Sequence, residues 1–297
     1  MRILMSGATG LIGSYLVPSL EKAAHGVSRL TRSPEPGSGD VGWDVNAGTI
    51  DSAALEGFDA VIHLAGENLF GRWTPEKKAR IVESRENGTR LISESLAKLS
   101  SMPKVLVSAS AIGYYGDRGD EMLEEDSSPG GSFLSEVCVK WEDATRPAAD
   151  AGIRVVNTRF GIVLTPKGGA LEKMMTPFRL GLGGRIGSGR QYMSWIAIDD
   201  LCSAVQHVIA HEEISGPVNF VSPNPVTNKD FTRALAGALS KPAIFSVPVV
   251  ALKAVYGEMA DDTLLASQRV MPGKLTKSGF EFAYTSIDDA LLHIAKG

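Results

Sequence analysis

Cysteine is scarce. Only Cys138 and Cys202 occur in 297 residues, and they stand in no Cys-x-x-Cys or Cys/His spacing. That leaves no disulfide framework and none of the usual zinc or dithiol motifs, and it fits a reducing, cytoplasmic setting. Charge of one sign is also lacking. Thirty Lys and Arg against 34 Asp and Glu give −4 with His neutral, so no general basic field is offered to nucleic acid. No apolar run approaches the roughly 18 residues of a membrane span. Met1 to Met5 is too short, and too soon broken by glycine, to read as a signal peptide. There is no internal repeat. The one loose stretch is Ser33-Pro34-Glu35-Pro36-Gly37-Ser38-Gly39, a loop rather than a linker.

What is present begins at once. Ile3-Leu4-Met5 is a short apolar run, followed by Ser6-Gly7-Ala8-Thr9-Gly10-Leu11-Ile12-Gly13 and a helix-compatible stretch from Ser14 to Ala24. This is strand, glycine turn, helix. Gly7 permits the tight turn, Gly10 lets the backbone approach a pyrophosphate, and Gly13 lets helix and strand pack closely. The helix start offers free N–H groups and a positive dipole end to phosphates. Val27 to Thr31 reads as the second strand, and Arg32 ends it. An acidic residue there would bond a ribose 2′-hydroxyl; an arginine suits a 2′-phosphate, so NADP is expected over NAD. Strand alternation puts Arg29 and Arg32 on opposite sides, and either is otherwise a solvated surface arginine.

Apolar segments then alternate with helical ones. Ala60 to Ala65 reads as a buried strand. Pro75 to Leu99 reads as a long helix with Thr74 as N-cap and Pro75 at its first position. Lys104 to Ser108 is a strand, Phe133 to Ala151 a helix ending at Gly152, and Arg154 to Thr158 another strand. This alternation predicts an α/β fold, a doubly wound parallel sheet of the Rossmann kind, with ligands at the carboxyl ends of its strands. After Gly161 the pattern loosens. Gly168 to Gly189 carries seven glycines, Ile198 opens a helix, and Val218 to Val221 looks like one more strand. The organisation expected is an NADP-binding core over 1–161 with a further segment near 194–222. Residues 162–193 and 223–297 would form a smaller C-terminal substrate-side lobe.

Several segments resemble the extended short-chain dehydrogenase/reductase superfamily. They are Gly7 to Gly13, His63-Leu64-Ala65-Gly66, Asn87-Gly88-Thr89, Ser108 to Gly116, and Trp195-Ile196-Ala197-Ile198-Asp199-Asp200-Leu201. A narrower set is similar to an atypical epimerase-family branch, whose members are often labelled predicted nucleoside-diphosphate-sugar epimerases. It comprises Leu64 to Asn68, Arg72-Trp73-Thr74, Ser84-Arg85, Trp141-Glu142 and Pro177 to Gly184, and runs over nearly the whole chain. The resemblance implies cofactor contacts at Gly7, Thr9, Gly10, Leu11, Ile12, Gly13, Thr31, Arg32, Leu64, Ala65 and Gly66.

It also implies a proton-handling set: a Tyr, a Lys four residues on, an upstream Ser and a relay Asn. Carried over position by position, the Ser is Ser110, but the Tyr becomes Leu134, the Lys becomes Cys138 and the Asn becomes Arg85. Tyr114 or Tyr115, in the loop after Ser110, could supply a phenol instead, with Arg85 lowering its pKa; equally, they only pack the loop. Cys138 is a nucleophile candidate or a small buried residue, and no His or Lys adjoins it in sequence. His63 reads as a core histidine. Arg85 faces inward if Ile81, Gly88 and Ile92 do, by helical spacing, and an inward arginine needs an anion, either cofactor phosphate or an acidic substrate. Arg80 is a weaker candidate. Arg185 and Arg190 could meet a second anion such as a substrate diphosphate. Two functions stay open. One is an NADP-dependent oxidoreductase or epimerase on a small molecule, anionic or nucleotide-sugar-like. The other is an NADP-binding sensor with little turnover. A homodimer through the long helices is compatible with either.

Overall fold

The computed structural model describes residues 1–296. Eight strands build the central sheet: β1 (Arg2–Ser6), β2 (Gly26–Thr31), β3 (Val41–Asp44), β4 (Thr49–Ile50), β5 (Ala60–His63), β6 (Val105–Ala111), β7 (Arg154–Phe160) and β8 (Gly216–Phe220), in the spatial order β4-β3-β2-β1-β5-β6-β7-β8. All neighbours are parallel except β3 and β4. β1 pairs with β2 on one side and β5 on the other, Met5 lying opposite both Arg29 and Ile62. The order therefore reverses at β1, and the crevice beyond its carboxyl end is where such sheets hold ligands.

The apolar run Ile3-Leu4-Met5 is continuous because both faces are covered. Ile3 and Met5 join Leu16 and Leu20 of α1 (Gly13–Lys22) under one face, and Leu4 joins Val61, Ile92 and Leu96 under the other. Ile92 and Leu96 belong to α2 (Pro75–Leu96), which starts where expected. Pro75 is its first residue, and the Thr74 hydroxyl accepts the Lys77 N–H at 3.3 Å. The helix expected over 133–151 is instead two, α3 (Phe133–Asp143) and α4 (Arg146–Asp150). Thr145 turns its hydroxyl back onto the Glu142 carbonyl at 2.6 Å, and Pro147 brings no N–H for the carbonyl a turn earlier. The short strands β3 and β4 lay outside the sequence reading.

Beyond the sheet, α5 (Gly169–Arg179), α7 (Asn228–Ala238) and α10 (Ile287–Lys296) share a separate apolar core that includes Leu171, Phe178, Phe231 and Leu291. α6 (Ile198–Ala210) packs on the sheet beside α1. Among the described residues, no helix is long and apolar enough to cross a membrane.

Candidate active site

The glycine turn has the form its sequence requires. Gly7 sits at φ +69°, where a side chain would be strained, and its carbonyl accepts the Gly10 N–H at 2.9 Å. A Cβ on Gly13 would lie 2.3 Å from the Gly7 carbonyl oxygen, so only glycine lets α1 come this close to the turn. Among the described residues, the Leu11 and Ile12 N–H groups meet no acceptor at the head of α1. These free donors and the open backbone fit a pyrophosphate. A cleft of about 120 Å³ continues from Gly7, Ala8 and Thr9 to Arg29, Thr31 and Ser33. Arg29 lines it; Arg32, at the end of the same strand, is exposed and is not among its lining residues.

Behind the turn, Ser6 and His63 close the ends of β1 and β5. The Ser6 hydroxyl accepts the Leu64 and Ala65 N–H groups at 3.2 and 3.3 Å and lies 2.6 Å from His63 Nδ1. His63 is fully buried, and burial pushes its pKa down to about 4. It is a neutral ring that pins the Leu64–Gly66 segment, in line with its reading as a core residue.

Farther along the same edge, a cavity of about 240 Å³ opens between α2, α3 and the stretches Tyr192 to Ser194 and Asp262 to Gln268. Arg85 reaches it from α2, turned inward as the helical spacing requires, with only 8% of its surface exposed. Its Nη1 donates to the carbonyls of Glu67 (3.1 Å) and Ile81 (3.2 Å), and its plane lies over the Trp141 ring at 4.8 Å. Among the described residues, Nε and Nη2 make no hydrogen bond, and no carboxylate pairs with the group. Burial lowers its pKa, yet from so high a starting value the guanidinium stays charged. Arg80 lies elsewhere: more than half exposed, it pairs with Glu67 at 3.7 Å and does not line the cofactor cleft.

Of the four proton-handling candidates, only Cys138 lines the cavity. Burial, with the Glu142 charge, pushes its thiol up to about 12, so it stands neutral. Ser110 is turned away and donates to Glu142 Oε1 at 2.6 Å. Glu142 in turn takes two bonds from Arg159, each 2.8 Å. Tyr115 is fully buried; its hydroxyl donates to Asn219 at 2.7 Å and accepts from Arg159 at 2.9 Å, and its pKa is pushed up to about 12, chiefly by burial. Tyr114 stacks on Arg159, 3.5 Å from guanidinium carbon to ring centre. Ser110, Glu142, Arg159, Tyr115 and Asn219 thus form one closed network beneath the cavity floor. Ser110 and Tyr115 are held in this network, and Tyr114 packs on its arginine.

The sequence reading missed Asp262 and Gln268, which line the cavity from far along the chain. Asp262 accepts the Leu134 N–H at 3.1 Å, so a carboxyl group stands at the start of α3, where the superfamily has its tyrosine. Burial raises its pKa. Asp262 is 128 residues from Leu134, and no spacing rule joins them. Arg185 and Arg190 also lie apart. Arg190 lines a separate outer groove, and Arg185 is exposed on a short strand, Gly184–Ile186.

Residues 3–221 match the NAD dependent epimerase/dehydratase family, and residues 247–294 match a domain of unknown function, DUF1731. An epimerase family protein of Mycobacterium bovis is 43% identical over 290 residues, covering 97% of this chain and 96% of that one. The crystal structure of human epimerase family protein SDR39U1 (isoform 2) with NADPH is similar at a TM-score of 0.91 and 34% identity, covering 100% of this chain and 99% of that one. A nucleoside-diphosphate sugar epimerase from Corynebacterium glutamicum aligns at a TM-score of 0.83 and 38% identity, over 99% of this chain and 58% of its own.

Proposed function

We propose that this chain, which belongs to the NAD-dependent epimerase/dehydratase family, binds NADP(H) and acts as an oxidoreductase or epimerase on a small anionic molecule. One observation carries the reading: at the sheet edge that holds the glycine turn, a buried guanidinium without a carboxylate partner faces an open cavity. Leu11, Ile12 and the head of α1 would hold the pyrophosphate, and Arg32 with Arg29 the 2′-phosphate. Leu64 to Gly66 would border the cofactor. Bound there, the nicotinamide supplies hydride chemistry. Arg85 would fix the anion, and Asp262, whose pKa burial raises, would hold or release the proton at a carboxyl oxygen. The core over 1–161 and 194–222 would carry the cofactor, and the remainder the substrate. The buried free thiols of Cys138 and Cys202 support a reducing, cytoplasmic setting.

The sensor reading is favoured by one fact, that Ser110 and Tyr115 are committed to Arg159 and Glu142. A screen of NADPH oxidation against carbonyl substrates separates the two, since turnover lost in Asp262→Asn belongs only to the enzyme. The cofactor reading has its own test. Arg32→Ala should weaken NADP by about one to two decades and NAD little, a charge-assisted phosphate contact being worth about 1.5–3 kcal/mol. Calorimetry showing equal losses for both cofactors would reject it.

A further inference from the structure

We propose that the cavity beside Arg85 takes an apolar carboxylate, a single negative charge on an alkyl or aryl body, and not a nucleoside-diphosphate sugar. The inference rests on the cofactor-and-anion reading above and narrows its substrate class. Arg85 is the only cation among the residues that line the cavity. With Nη1 spent on two backbone carbonyls, Nε and Nη2 remain, and that pair matches one carboxylate side-on.

The rest of the wall suits no sugar. Leu69, Ile112, Leu134, Val137, Phe160 and Met193 contribute apolar surface. Three of the polar members are already bonded within the protein, while the Asp262 carboxyl, holding the Leu134 N–H, also lines the wall. Ser194 donates to the Gln268 carbonyl at 2.8 Å and accepts the Val270 N–H at 2.9 Å. Thr263 donates to the Met259 carbonyl at 2.6 Å, and the Gln268 amide to the Ile112 carbonyl at 3.1 Å. Sugar hydroxyls entering here would lose water and gain few partners, at a cost a hydrocarbon body does not meet. At about 240 Å³ the space is also below the roughly 300–1,000 Å³ of sites for larger ligands.

The adjoining groove does not favour phosphate. The neighbouring groove of about 470 Å³ shares Tyr192 with the cavity and is lined by Asp117, Asp120 and Asp261 against Arg190 and Lys253. Lys253 is itself paired to Asp261 at 2.7 Å, which leaves Arg190 beside two further carboxylates. A diphosphate lying there would find one free cation and a net negative wall.

The test uses the full chain, with and without saturating NADP+. Phenylacetate, octanoate, phenylacetamide and UDP-glucose are each titrated by calorimetry, and NADPH binding is followed separately by its fluorescence. Phenylacetate and octanoate should bind saturably, and neutral phenylacetamide about tenfold or more weaker. UDP-glucose should give no saturable heat. Arg85→Gln and Arg85→Lys should bind NADPH as the parent does, with Gln losing tenfold or more of the carboxylate affinity and Lys keeping part of it. UDP-glucose binding as well as or better than phenylacetate overturns the proposal. So does the failure of both carboxylates to bind, or a loss of NADPH affinity in Arg85→Gln, which would assign the arginine to the cofactor. Failure of the parent to bind NADPH overturns the cofactor reading instead, and the titrations without NADP+ then still decide the carboxylate.

Discussion

Cys138 and Arg85 share one cavity wall, and the same loss of water acts against the charged form of both. It leaves the thiol neutral, at about 12, and the guanidinium still charged, because the two start so far apart. A cysteine so placed is a wall residue at neutral pH, since only the thiolate attacks. The expectation that follows concerns reactivity. In native protein at pH 8, iodoacetamide should alkylate Cys138 and Cys202 at least ~100-fold more slowly than in urea, because both are buried with thiols pushed up to about 12. Peptide mass spectrometry reads the two sites apart. Rapid native labelling at Cys138 would mean an electropositive, accessible thiol, and would restore it as a nucleophile.

Among the elements, the junction of β1 and α1 has the least freedom. A methyl group on Gly13 would meet the Gly7 carbonyl at 2.3 Å and the Ala8 Cα at 2.7 Å, so helix and turn must part. Gly13→Ala should cost about 2 kcal/mol or more in urea unfolding and abolish NADPH binding. Gly237→Ala, in α7, has nothing within 4 Å of the new methyl and should be neutral or stabilise by about 0.5–1 kcal/mol. Equal effects at the two sites would mean that close packing at Gly13 is not what the turn depends on. These elements are also where sequence was most informative. β1, the glycine turn and the Thr74–Pro75 start of α2 are local, and each is written within a few residues. Arg85 could be turned inward from helical spacing alone. The division of α3 from α4 hung on one hydroxyl folding back at Thr145. The commitment of Ser110 to Glu142 and of Tyr115 to Arg159 and Asn219, and the arrival of Asp262 at Leu134, depend on partners as much as 128 residues distant, to which periodicity is blind.

For the whole molecule, His63 sets a weakness in acid. Its folded pKa, about 4, lies below the ordinary 6.5. Between those values the unfolded chain takes up a proton that the folded one refuses. Stability is therefore full above about pH 6.5 and falls as the pH drops towards 4, by at most about 1.4 kcal/mol per pH unit from this ring. From pH 7.5 to pH 5 the loss should be about 2 kcal/mol in urea unfolding, and His63→Gln should lower the value at pH 7.5 but flatten the slope. An unchanged slope in the variant would place the acid sensitivity elsewhere, for instance at the stacked pair His207 and His211.

The cavity draws its walls from stretches far apart in the chain: Leu69 and Arg85, then Ile112 to Trp141, then Phe160, then Tyr192 to Ser194, and at last Asp262 to Gln268. The glycine turn asks only for β1, α1 and the Leu64–Ala65 backbone that Gly7 nearly touches. On the ribosome, then, the glycine turn emerges well before Asp262 to Gln268, the stretch that closes the cavity. A chain interrupted before Ala260 keeps a seat for the cofactor and has no room beside it. Asp262 to Gln268, although they add nothing to the central sheet, complete the chamber beside the cradle.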